Sequence, residues 1–133
     1  MGAWGYRSFD NDSAFDWLGD LENEDASVVD ETLALVANEA ADEYLDVDAA
    51  CAALAAAELV AAAHGKGTDR LCDEAAAWLE GHRPELDEST VVLARAAVER
   101  VLLASELRDL WAESESHAEW QRDVNELIAR LRE

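Results

Sequence analysis

The chain has 133 residues, half of them hydrophobic, and its 31 acidic and 10 basic side chains give a formal charge of −21. That length fits a single domain, residues 1–133, with apolar content enough for a core, which argues against disorder. A polyanion this strong repels nucleic acid and anionic membrane surfaces, so neither is expected as a partner.

Alanine occurs 27 times, glycine six times and proline once. Alanine, leucine, glutamate and arginine favour helix, whereas glycine and proline break it. The expected class is all-α: a single compact bundle of six to seven short helices with a Gly/aromatic N-terminal segment. In that segment Trp4, Tyr6 and Phe9 alternate, as in a short extended stretch. Asn11 or Asp12 caps helix one, whose apolar spacing is Ala14, Trp17, Leu18 and Leu21 and which runs to about Glu22. Ser27 caps helix two, with Asp30 three residues on and an apolar face of Val29, Leu33, Val36, Ala37, Ala40 and Tyr44. Asp46 or Asp48 starts helix three, which is nearly all alanine and ends at His64 before Gly65 and Gly67. Its small side chains let neighbours approach closely, which places it at the centre. Thr68 or Asp69 opens helix four, with Leu71, Cys72, Ala75, Trp78 and Leu79 inward, and residues 81–86 form a turn. Asp87 caps helix five, with Val91, Ala94, Val98, Val101 and Leu102 inward. Ser105 starts a short helix carrying Leu107, Leu110 and Trp111. The last helix carries Trp120, Val124, Leu127, Ile128 and Leu131. Trp17, Trp78 and Trp120 read as core residues, while Trp4 and Trp111 are open to either a core or an interface role.

The longest apolar run is nine residues, Ala49 to Ala57, too short for a membrane span. Asp10 and Asp12 come too early for a secretory leader, so the chain reads as cytoplasmic. Cys51 and Cys72 are then expected to be reduced and buried in alanine-rich helices. With nine arginines and one lysine, the composition suggests a GC-rich bacterial genome.

The charge is unevenly spread. Residues 8–65 contain 15 acids and no Lys or Arg, whereas residues 66–133 contain 16 acids and nine bases. Any electrostatic function therefore resides mainly in the first half.

Three groups of residues invite a functional reading. The first is Asp10, Asp12 and Asp16, three carboxylates in seven residues, a weak candidate for Ca²⁺ or Mg²⁺. An EF-hand loop counted from Asp10 would need Gly and Glu where Phe15 and Leu21 stand, and capping accounts for aspartates at a helix start. The second is His64, Cys72, His82 and His117, whose spacings match no zinc or di-iron pattern. The third is the outer face of helix two. With Leu33 at the centre of the buried face, Leu35 falls at about 200° and Val28 at about 220°, among Glu31, Asn38, Glu39 and Asp42. An aliphatic anchor ringed by carboxylates suits a basic protein partner. The alternative is that helix two is covered there, by helix one or by a dimer mate. No cofactor motif, nucleophile elbow or phosphate-cradling loop is present.

The stretches MGAWGYRSFDNDSAFDWLGDL and SELRDLWAESESHAEWQRDVNELIARL carry a resemblance. Through Gly2, Trp4, Gly5, Phe9, Asn11, Asp12, Ala14, Asp16 and Trp17, and through Ser105, Glu106, Leu107, Leu110, Trp111 and Trp120, the chain resembles the family called domain of unknown function 4259. It departs at Arg7-Ser8-Phe9, where the family pattern is Gly-x-Phe. The resemblance implies a small bacterial cytosolic protein without an assigned activity. The N-terminal motif reads physically as a folding device, with Trp4 and Phe9 clamping a turn onto helix one and Asp16 accepting from that turn or from an indole.

Three functions are weighed. The leading expectation is a non-enzymatic acidic binding protein that neutralises a basic partner, of the immunity-protein or inhibitor type. The second is a structural or oligomerising domain whose acidity serves solubility. The third, ranked lowest, is an enzyme with a carboxylate or metal site, chiefly a metal-dependent one.

Overall fold

In the computed structural model, residues 8–9, 11–23, 27–38, 45–66, 71–82 and 86–132 are described. They form seven helices: α1 (Asp12–Glu22), α2 (Ser27–Ala37), α3 (Val47–Ala63), α4 (Asp73–His82), α5 (Glu88–Leu103), α6 (Glu106–Ala112) and α7 (His117–Arg132). No β-strand occurs among the described residues. The fold is an all-α bundle, as the composition predicts.

Short polar side chains set the helix starts. An oxygen of Asn11, Asp46, Asp87 and Ser105 accepts from the backbone N–H three residues on, at Ala14, Ala49, Thr90 and Arg108. Each bond satisfies one of the unpaired donors of a first turn. Between the two sequence candidates for the α1 cap, Asn11 takes the position. The end of α3 is closed by backbone bonds from Lys66 N to Ala61 O (2.8 Å) and from Gly65 N to Ala62 O (3.0 Å). This reversal requires the positive φ of 81° that Gly65 adopts without penalty.

The alanine-rich α3 is the hub of the bundle and contacts all six other helices. Ala50, Ala53, Ala55, Ala56, Ala57 and Ala62 are completely buried. Having no side chain beyond Cβ, they let several neighbours pack closely around one axis. The larger apolar volume comes from those neighbours: Leu18 and Leu21 of α1, Leu33 and Val36 of α2, Val98 and Val101 of α5, Trp120 and Leu127 of α7. All four described tryptophans, Trp17, Trp78, Trp111 and Trp120, are buried. Trp111 thus joins the core, and Trp4 lies outside the described residues.

Polar bonds tie the layers at their edges. The Trp17 indole N–H donates to Thr32 Oγ1 at 2.8 Å, linking α1 to α2. Ser13 Oγ donates to Asp48 at 2.7 Å, linking α1 to α3. Thr90 Oγ1 donates to Asp30 at 2.8 Å, linking α5 to α2. Asp30, expected in a local capping box, bonds across to another helix, and Ser27, expected as the cap, is the first residue of α2.

Several boundaries differ from the sequence reading. Helix α4 begins at Asp73, so Leu71 and Cys72 precede it and are only half-buried. Thr68, Asp69, Ala40 and Tyr44 lie outside the described residues. Gly81 and His82 belong to the last turn of α4 rather than to a turn beyond it. His82 Nδ1 donates to Trp78 O at 2.8 Å, and its ring stacks on the Trp78 indole with centroids 4.2 Å apart. That local contact sustains the helix through the glycine.

Candidate functional site

Helix α2 turns Val29, Leu33 and Val36 fully into the core. Its flanks are engaged by α1 through Thr32 and by α5 through Asp30. The opposite side projects Leu35, which is 64% exposed. Glu31 and Asn38 are exposed beside it. On a helix these two stand within about 60° of Leu35, which makes the three a single patch. Val28 does not belong to it. The side chain is half-buried and packed against the core, because azimuth around one helix axis does not determine how far neighbouring elements reach around that side. Glu39 and Asp42 lie outside the described residues. Neither α1 nor any other described helix covers Leu35.

The stretch of chain that carries this patch is acidic at its described surface. Asp12, Asp16, Asp20 and Glu22 on α1, Asp30 and Glu31 on α2, and Asp46 and Asp48 at the start of α3 are all exposed. No base stands among them in sequence.

The remaining candidates separate in space. Asp12 and Asp16 are exposed on α1, and Asp10 is not among the described residues. Asp16 does not receive the Trp17 indole, which donates to Thr32. Among the described residues no three His, Cys, Asp or Glu side chains converge as metal ligands. His64 caps the end of α3, and its Nε2–H donates to Leu86 O at 2.9 Å. His82 stacks on Trp78, and His117 begins α7 beside Trp120. Cys51 and Cys72 are both free thiols. Burial, with a smaller push from Asp48, raises the Cys51 thiol to about 12, and desolvation also raises Cys72. Such thiols are poor nucleophiles and poor metal ligands at neutral pH.

One charged constellation escaped the sequence reading. Glu58, in the middle of α3, is only 1% exposed. Arg130 of α7 reaches it with two nitrogens, Nη1 to Oε1 at 2.9 Å and Nη2 to Oε2 at 3.4 Å. Ser8 Oγ donates to Oε2 at 3.1 Å, and Arg130 Nη1 also donates to Lys66 O at 3.3 Å. Burial pushes the Glu58 carboxyl up, against the pull of Arg130 and Ser8 and with added repulsion from Asp123. The signal was present: Glu58 is the only charged residue between Ala49 and Ala63. The pair ties the N-terminal segment, the hub helix and the last helix together. Its carboxylate oxygens and the two guanidinium Nη atoms are directed at one another, which makes its role structural, while Arg130 Nε is buried without a hydrogen bond, 3.8 Å from Glu126.

What the fold and its surface define is an acidic all-α bundle in which, among the described residues of the base-free stretch, the most exposed large aliphatic side chain, Leu35, sits on α2. The profile of the family described as Domain of unknown function (DUF4259) matches residues 2–123, and the chain belongs to that family. No curated protein and no solved structure matches it. The motif residues that carry the likeness are largely scaffold: Asn11 and Ser105 cap helices, and Ala14, Trp17, Leu107, Trp111 and Trp120 are buried. Among the described residues, no helix is long and apolar enough to cross a membrane.

Proposed function

We propose that the protein is a non-enzymatic binder that neutralises a basic protein partner, in the manner of an immunity protein or an inhibitor. The observation that carries this reading is the exposure of Leu35 on a helix whose Val29, Leu33 and Val36 are fully buried, beside Glu31 and within a stretch of chain that carries no Lys or Arg. Leaving a leucine in water forfeits about 1.5–3 kcal/mol of burial, and a partner that covers it recovers that free energy. The carboxylates accelerate encounter with a cationic surface and set its orientation, while Leu35 supplies the desolvated contact. Glu31 and Asn38 flank the anchor, and Glu39 and Asp42 continue the same stretch of sequence toward α3.

The test is affinity capture with the wild-type protein in parallel with Leu35→Asp and the triple reversal Glu31→Lys, Glu39→Lys, Asp42→Lys. A high-pI protein retained by the wild type and lost by both variants is the expected result, with an association rate that falls as salt rises. Retention of the same basic proteins by all three would refute the assignment to α2.

A further inference from the structure

We propose that the cleft between α3, α5 and α7 binds a small molecule carrying an oxyanion, a carboxylate or a phosphate, on a compact apolar body. The cleft has a volume of about 230 Å³, below the roughly 300–1,000 Å³ of drug-sized sites. Val60, Ala61, Val91 and Leu131 supply its apolar walls. Three arginines line it, Arg95, Arg130 and Arg132, out of only ten bases in the chain. Three of the chain's ten bases thus meet at one cleft in a molecule of charge −21.

The three guanidinium groups differ in what remains to them. Arg130 is committed to Glu58 and the Lys66 carbonyl, so its charge is largely answered from within. Arg132 is 60% exposed and stands 3.7 Å from Glu99, a loose surface pair of the kind that contributes little. Arg95 is half-buried and has no ion-pair partner among the described residues. In a chain with three acids for every base, a half-buried arginine left without a carboxylate requires an explanation. Its guanidinium offers a planar set of donors matched to an oxyanion. Glu88 on the same lining opposes an anion, and Val92, 57% exposed, offers apolar surface for a ligand to cover. The distant carboxylates do not prevent entry, because at physiological salt their field is screened beyond about 8 Å. A polyanion would meet the whole acidic surface, whereas a small anion meets only the pocket.

Calorimetric titration with phenyl phosphate, phenylacetate and inorganic phosphate tests the proposal. Saturable one-to-one binding of phenyl phosphate or of phenylacetate is expected, at least tenfold weakened by Arg95→Met, weakened less by Arg132→Met and tightened by Glu88→Gln. Whichever of the two phenyl probes binds identifies the head group, and Leu35→Asp should leave this binding unchanged. Circular dichroism and Tm of Arg95→Met guard against a folding defect. The proposal is overturned if no phenyl probe saturates, if a folded Arg95→Met binds like the wild type, or if inorganic phosphate binds as tightly as phenyl phosphate.

Discussion

Glu106 and Val47, 59 residues apart, join the starts of two helices: the Val47 backbone N–H donates to Glu106 Oε1 at 2.8 Å. The return bond runs from Glu106 N to Leu45 O, also 2.8 Å. A side chain from the first turn of α6 thereby satisfies a donor that α3 cannot satisfy itself. Glu106→Ala should cost about 1–3 kcal/mol, because Val47 N–H is left half-buried without its acceptor. Glu106→Gln keeps a carbonyl in place and should cost less. Urea melts of both variants give the comparison.

Ser105, next to it, has two roles. Its Oγ accepts from Arg108 N at 3.0 Å and donates to Val101 O at 2.8 Å, joining the end of α5 to the start of α6. Ser105→Ala should lose about 1 kcal/mol from the cap alone. Ser105→Gly should recover most of that loss, since glycine at an N-cap costs only about a few tenths of a kcal/mol, and neither variant makes the bond to Val101. Thermal denaturation at matched pH and salt measures both.

Arg130→Met leaves the buried Glu58 without its cation and should destabilise by about 3–5 kcal/mol, whereas Glu58→Gln resembles the protonated carboxyl that burial favours and should cost less. The double variant Glu58→Gln, Arg130→Met should be less damaged than the sum of the two, and a double-mutant cycle reads the coupling. The pH dependence has a definite sign. Because burial raises the Glu58 carboxyl in the folded state, the folded protein binds that proton more tightly than the unfolded chain. The wild type should therefore lose stability relative to Glu58→Gln as pH rises from about the ordinary value of 4.5 to the elevated folded value, then stay level. The cost of ionising the group is absent below that window.

The two thiols should separate kinetically. Cys51 is buried, with its thiol raised to about 12, whereas Cys72 is half-buried. Labelling of the native protein with a thiol reagent should modify Cys72 first and reach Cys51 only through unfolding. Equal rates would contradict the packing of α3. Mass spectrometry of timed aliquots decides.

Trp120 is 1% exposed in the core face of α7, and Trp120→Ala should cost about 3–5 kcal/mol through the cavity left behind. Leu35→Ala should stay within about 0.5 kcal/mol of wild type, since the side chain is mostly in solvent. Chemical denaturation of the pair separates a packing role from a surface role.

Helix existence was legible because local chemistry and periodicity agree: Asp87 and Ser105 are good caps and stand immediately before apolar spacing that suits a buried face. The start of α4 was not. Leu71 and Cys72 continue the apolar spacing of Ala75, Trp78 and Leu79, and Thr68, Asp69 and Asp73 are all plausible caps, so periodicity could not locate the first turn. Gly81 reads as a stop, yet the His82 stack on Trp78 carries the helix past it. Leu35 was legible as an outward residue from azimuth alone. Val28 was not, because its burial depends on neighbours. The Glu58–Arg130 pair depends on a contact across 72 residues, and no local pattern in either helix names its partner.

That separation has a consequence for the order of assembly. The base-free stretch of the chain places a carboxylate at the centre of its main helix, and the cation that answers it stands 72 residues later on α7, with Ser8 meeting the same carboxylate from ahead of α1. A nascent chain emerging from its N-terminus can form α1 to α3 early but cannot close the interior around Glu58 until α7 has been made. Closure of the core is thereby tied to the synthesis of α7, and a product that stops before residue 130 would retain an open, charged seam along its hub.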